Sequence, residues 1–123
     1  MTPEGRIKTA CLRYLERRGF YAWNNPTGAV QIRPGKFLRF GKVGSSDILG
    51  VLPDGKFLAI EVKASNGRLS PEQSAFLEKI RGKGGLALLV RSWQELDAAL
   101  RREGYADDGP LFQENNALPY GGA

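Results

Sequence analysis

Residues 45–65, SSDILGVLPDGKFLAIEVKAS, contain two apolar segments, each with an acidic side chain in or beside it. Asp47 precedes the first apolar segment, and Glu61 lies inside the second, between Ile60 and Val62. Acids are depleted from strands, and a buried carboxylate without a partner is costly. The stretch therefore predicts two strands that carry acids for a reason other than packing.

The sequence PDG, residues 53–55, predicts the turn that joins these strands. Proline and aspartate suit a type I turn, and the glycine suits the left-handed position that follows it. The register set by this loop places Asp47 directly opposite Glu61. Because side chains alternate along a strand, Lys63 projects from the same face.

Two acids directly opposite each other destabilise a hairpin, and a cation between them relieves the repulsion. Two carboxylates, a carbonyl and waters form the hard oxygen site that Mg²⁺ or Mn²⁺ prefers. A metal there activates water and stabilises charge on a phosphate, and Lys63 can orient or deprotonate the attacking water. The alternative is an ordinary surface cluster of Lys63, Glu61 and Asp47.

The composition limits which chemistry the chain can perform. It has 123 residues, enough for a single domain, with no histidine and one cysteine, Cys11. Serine or cysteine catalysis that needs histidine is excluded, as are an internal disulfide and a cysteine-based zinc site. The sequence shows neither a membrane span nor a signal-peptide core, so we expect a cytoplasmic protein, in a bacterial or phage-infected cell, without a membrane partner.

The positive charge lies in the first part of the chain. Residues 1–46 hold nine Lys or Arg against Glu4 and Glu16, whereas residues 47–123 hold nine against eleven acids. Basic residues alternate with aromatic ones in QIRPGKFLRFGK, residues 31–42, which favours a nucleic-acid partner over a merely solvated surface. The candidate DNA contacts are Arg33, Lys36, Arg39 and Lys42, with Asn25 lining the cleft.

The hydrophobic pattern predicts an α/β fold, a small mixed β-sheet flanked by helices. A first helix begins at Thr2 as N-cap and ends at Gly19, and three short strands precede the two of the opening stretch. A second helix with a Ser70/Gln73 capping box, a buried strand and a third helix with a Ser92/Glu95 capping box follow. Four large aromatic residues are predicted to lie in the core, with base-stacking platforms as the alternative: Trp23, Phe37, Phe40 and Trp93.

Two regions are expected along the chain. Residues 1–104 form one folded domain, and residues 105–123 lose periodicity and form a loose or interface-forming tail. The tail contains apolar residues that are candidates for a dimer surface: Leu111, Phe112, Leu118 and Tyr120.

The pattern of Asp47 followed by Glu61-Val62-Lys63 resembles the PD-(D/E)XK nuclease superfamily. Residues 44–90 are similar to the core of its VRR-NUC (virus-type replication-repair nuclease) family, and the resemblance covers roughly residues 3–104. It implies the core order α-β-β-β-β-α-β-α. The residues in that family's order are Glu4, Gly44, Asp47, Glu61, Lys63, Ser70 and Gln73.

The resemblance also implies roles for the site residues. Asp47, Glu61 and the main-chain carbonyl of Val62 would bind the metal, and Lys63 would position the nucleophilic water. Glu4 would approach the metal or its waters from the first helix. Gln73 would reach in from the second helix, although its place in a capping box needs no active site.

The expected activity is that of a metal-dependent DNA endonuclease. Stand-alone members of the family are similar to symmetric junction resolvases, so a homodimer that cuts branched DNA or Holliday junctions is favoured. The alternatives are a nicking or flap nuclease, alone or within a larger complex, a non-catalytic basic nucleic-acid-binding module, and a structural protein with an incidental charge cluster.

Overall fold

The computed structural model describes residues 1–105. Their helices are α1 (Pro3–Arg17), α2 (Pro71–Gly82) and α3 (Trp93–Arg102). Their strands are β1 (Tyr21–Asn24), β2 (Gly28–Arg33), β3 (Lys36–Phe40), β4 (Ile48–Val51), β5 (Phe57–Val62) and β6 (Leu86–Val90). In this part of the chain no helix is both long and apolar enough to cross a bilayer.

The main sheet has four strands in the order β1-β4-β5-β6 and is flanked by helices, as predicted. The pairs β1–β4 and β4–β5 are antiparallel, whereas β5 and β6 are parallel across the connection through α2. Helices α1 and α3 pack on one face, and α2 packs on the other. Five strands precede α2, as the hydrophobic pattern predicted, whereas the core order implied by the resemblance has four. Of these five, β2 and β3 form a separate two-stranded sheet.

The turn between β4 and β5 sets the register that positions the acids. Gly55 has a φ of 93°, the left-handed conformation that this loop requires. The N–H of Leu52 donates to the carbonyl of Lys56 at 2.8 Å, and Ile48 pairs with Ile60. The predicted register is confirmed, and its next position places Asp47 opposite Glu61.

The capping box predicted for α3 is only half formed. The N–H of Glu95 donates to Ser92 Oγ at 3.0 Å, but the Glu95 carboxylate accepts from the N–H of Arg91. The N-cap backbone explains the difference, since Ser92 has a φ of −165° whereas Ser70, which forms a complete box, has a φ of −73°. An extended N-cap turns its own N–H away from the first helical turn.

The prediction that four large aromatic residues lie in the core is wrong. The exposed fractions of Trp23, Phe37, Phe40 and Trp93 are between 40% and 60%. Phe37 and Phe40 belong to β3, and no second layer covers the two-stranded sheet within the described residues. Trp23 lies on the edge strand β1. Trp93 stacks on Tyr14, with 5.8 Å between the ring centroids.

Tyr105, the first residue of the expected tail, packs against the core that α1 and α3 form. Its hydroxyl donates to Asp54 Oδ2 at 2.6 Å, at the end of the sheet that carries the β4–β5 turn. The rest of the tail, with its candidate dimer surface, lies outside the described residues.

Candidate functional site

Asp47 is held by two strands at the end of the sheet opposite the β4–β5 turn. Its Oδ2 accepts from the N–H of Val62 at 2.8 Å, so the side chain extends the pairing between β4 and β5. Its own carbonyl accepts from the N–H of Asn25 at 2.7 Å, which continues the pairing with β1. The carboxylate therefore has a fixed position beside the carbonyl end of β5.

Glu61 is almost fully buried, with 2% of its surface exposed. Its Oε2 accepts from Gln73 Nε2 at 2.9 Å and lies 3.9 Å from Lys63 Nζ. Its Oε1 is buried without a hydrogen-bond partner among the residues that the structure describes. A buried carboxylate oxygen without a donor from the protein is satisfied by a proton, a water or a cation.

The electrostatic surroundings of Glu61 oppose its ionisation. Burial, followed by the charge and hydrogen bond of Asp47, raises the pKa of Glu61 to about 8. Lys63 acts in the other direction, and the more distant charge of Glu4 adds to the increase. Further positive charge would therefore favour the ionised form of Glu61.

Gln73 combines the two roles that the sequence left as alternatives. Its Oε1 accepts from the N–H of Ser70 at 2.9 Å, which completes the capping box of α2. Its Nε2 donates to Glu61 at the same time. One amide thus fixes the start of the helix and the orientation of a candidate metal ligand.

Glu4 lies in the first turn of α1, near enough to influence the pKa of Glu61. No three acidic or cysteine side chains in residues 1–105 are grouped closely enough to hold one metal ion.

The candidate DNA contacts fall into two groups. Arg33, Lys36 and Arg39 lie on the exposed strands β2 and β3, and Lys42 follows them on the way back to the site. Asn25 has a different position, since its Nδ2 donates to Ser45 Oγ at 2.8 Å and to the carbonyl of Ser46 at 2.9 Å. Its side chain supports the segment before Asp47.

A polar recess beside Lys63 was missed by the sequence analysis. It has a volume of about 330 Å³ and is lined by Ser65, Asn66, Gly67, Arg68 and Arg91. Arg91 reaches this loop by donating to the carbonyl of Ala64 at 2.6 Å. The available signal was the run SNGR, residues 65–68, which begins two residues after Lys63 and ends in arginine.

Comparisons with known proteins agree with this fold. The profile of the VRR-NUC domain family matches residues 3–94. A solved structure described as a VRR_NUC domain has a TM-score of 0.60 and 25% identity, over 85% of this chain and 100% of that one. Another, described as a VRR_NUC domain protein, has a TM-score of 0.61 and 18% identity over 87% and 93%, and supports the fold alone.

None of the curated protein sequences matches this chain. The family match nevertheless spans about three quarters of the 123 residues and contains Asp47, Glu61, Lys63 and Gln73. The domain therefore implies a nuclease-type function. On these grounds the chain belongs to the VRR-NUC domain family.

Proposed function

We propose that this domain is a metal-dependent, structure-specific DNA endonuclease that hydrolyses phosphodiester bonds. The observation that carries the proposal is the buried Glu61 carboxylate, with one oxygen unpartnered, beside Asp47 and Lys63. A structural cluster would satisfy that oxygen or replace the acid, since a buried unpaired carboxylate only destabilises the fold.

The residues present fit a hard divalent cation such as Mg²⁺ or Mn²⁺. The unpartnered Glu61 Oε1 and the Asp47 carboxylate would supply two oxygens, and the Val62 carbonyl a third. With no third carboxylate grouped with them among the described residues, the remaining positions suit waters and a phosphate oxygen. A cation there would also offset the charge that raises the pKa of Glu61.

The bound metal would supply Lewis-acid activation of water and stabilisation of the developing phosphate charge. Within the chain, Val62 holds Asp47 through its N–H, and Gln73 orients Glu61. Lys63 would position the attacking water or accept its proton. Glu4 would act on the water around the site.

The proposed substrate is branched DNA, with Holliday junctions favoured, and the proposed assembly is a homodimer. In this proposal the grip on DNA comes from the basic residues 1–46 and from a second copy of the domain. Two-fold symmetry would present two sites to two strands of one junction.

The test is cleavage of a labelled four-way junction and a matched linear duplex, with Mg²⁺, Mn²⁺ or chelator. The proteins are wild type, Lys63→Ala, and Lys56→Ala as a control in the distant β4–β5 turn. We expect paired, metal-dependent cuts on the junction that Lys63→Ala abolishes and Lys56→Ala retains. Cleavage of nicks or flaps alone would support the rival nuclease, and tight binding without any cut would support the non-catalytic module.

A further inference from the structure

The hairpin formed by β2 and β3 is unsupported by the rest of the domain. The two strands pair only with each other among the described residues. Its apolar side chains have exposed fractions between 45% and 60%; they are Val30, Ile32, Phe37, Leu38 and Phe40. A two-stranded hairpin is marginal alone, and a contiguous exposed apolar surface marks a binding site.

Both faces of the hairpin carry this exposed apolar surface. Val30 pairs with Leu38, and these two side chains share one face. Phe37 pairs with Gln31 on the opposite face, and 60% of the phenylalanine is exposed. A sheet that packs on one partner is apolar on one face and polar on the other. The binding partner of this hairpin must therefore offer an apolar surface to each of its two faces.

The positive charge of the hairpin favours a polyanion as its binding partner. The segment from Arg17 to Ser46 contains no acid and six basic residues. Four of these belong to the hairpin and its return: Arg33, Lys36, Arg39 and Lys42. A second copy of the chain would bring the same positive charge to the contact. DNA bases offer apolar faces and the backbone offers phosphates, which matches both features.

The base of the hairpin is tied directly to the candidate site. Asn25, just before β2, holds the carbonyl of Asp47, and the N–H of Ser45 donates to the carbonyl of Lys42 at 3.0 Å. Gly41 has a φ of 77°, and a Cβ there would lie 2.8 Å from the Pro26 carbonyl. DNA held by the hairpin therefore has a defined position relative to Asp47.

We infer that the β2–β3 hairpin is a wedge that inserts where DNA helices diverge. Terminal base pairs stack against Phe37 on one face and Leu38 with Val30 on the other, while the basic residues contact the flanking phosphates. Apolar wedges and basic side chains combine in this way in proteins that unstack and bend DNA. The inference rests on the proposed function and names its substrate class, DNA with exposed base-pair ends.

The test is 2-aminopurine fluorescence at the branch point of a four-way junction and at the same sequence in a linear duplex. Binding is measured in chelator, so the readout does not require cleavage. The proteins are wild type, Phe37→Ala/Leu38→Ala, and Phe57→Ala as a matched control at the far end of the sheet. Sedimentation of each protein and its cleavage with metal are measured in parallel.

We expect wild type and Phe57→Ala to raise the fluorescence several-fold at the junction and not in the duplex. The double variant should bind with the same salt dependence, raise the fluorescence little, and cut junctions at least tenfold more slowly. The proposal is overturned if wild type does not raise the fluorescence at the branch point, or if the double variant raises it as much as wild type does. It is also overturned if the double variant only changes the oligomeric state, which would make the hairpin a contact between copies. Unstacking without any metal-dependent cleavage would retain the wedge and remove the nuclease.

Discussion

The buried Glu61 carboxyl makes the free energy of unfolding depend on pH. The unfolded chain ionises this carboxyl near pH 4.5, whereas the folded metal-free protein retains the proton until about pH 8. Because the pKa of Glu61 is higher in the folded protein than in the unfolded chain, its protonated carboxyl contributes fully to the free energy of unfolding below pH 4.5. That contribution is lost as the pH rises to about 8. In that window the metal-free protein loses up to about 1.4 kcal/mol per pH unit.

This linkage predicts the behaviour of Glu61→Gln in chelator. The amide resembles the protonated carboxyl, so the variant should be increasingly more stable than wild type from pH 5 to pH 8, with a constant difference above that. Thermal unfolding at each pH measures it, with Glu78→Gln on the exposed face of α2 as the control. Parallel curves for wild type and Glu61→Gln would contradict the burial argument.

Metal addition should reduce the stability difference between wild type and Glu61→Gln. A cation that binds the folded site stabilises wild type by mass action, by about 2.7 kcal/mol at one hundred times its Kd. Glu61→Gln lacks the ligand charge and should gain little. Equal shifts on titration with Mn²⁺ would show that the ion binds elsewhere.

The residue pattern predicted this pair of acids but not their support. The PDG turn fixed the register, and local turn chemistry is visible in sequence. The role of Asn25 depends on a contact with residues 45 and 46 that no local pattern announces. For the same reason, the recess beside Lys63 emerges only when Arg91 is brought to the loop by β6.

At the scale of elements, the N-terminus of α2 is connected to the candidate site through one side chain, Gln73. Ser70 and Gln73 cap each other, and only Gln73 also contacts Glu61. We expect Ser70→Ala to destabilise the protein by about 1 kcal/mol without changing the cleavage rate. Gln73→Met, similar in size but unable to donate, should destabilise it and lower cleavage about tenfold or more.

Urea unfolding and junction cleavage separate the two effects. If Ser70→Ala lowers cleavage as much as Gln73→Met, the amide acts only through the helix start. The local pattern revealed the box, and the resemblance implied that Gln73 reaches the site. The contact with Glu61 itself is not visible in the local pattern, because Glu61 lies twelve residues away on another element. The prediction that the aromatic residues of β3 are buried was wrong for a related reason. Hydrophobicity predicts burial, but it does not reveal whether another layer of the fold covers the strand.

Across the whole molecule, the positive charge of residues 1–46 should determine how DNA binding depends on salt. Each lost phosphate contact lowers the slope of log K against log salt by about 0.9 for duplex DNA. Arg39→Ala and Lys42→Ala should each reduce the slope by about that amount, equally for all sequences. Lys83→Ala, beyond the end of α2, is the control. An unchanged slope in both hairpin variants would place the DNA elsewhere.

The proposed homodimer makes a prediction about paired strand cuts that a single site cannot make. Wild type mixed with excess Lys63→Ala should form dimers with one active site, which cut one strand of a junction and leave the other intact. On a plasmid that extrudes a cruciform, the nicked product should increase relative to the linear one as the inactive protein is added. Two independent monomers would instead give the same ratio of nicked to linear product at equal extent of cleavage, because their cuts are unrelated events. The ratio therefore distinguishes a symmetric resolvase from a monomeric nuclease that uses the same Asp47, Glu61 and Lys63.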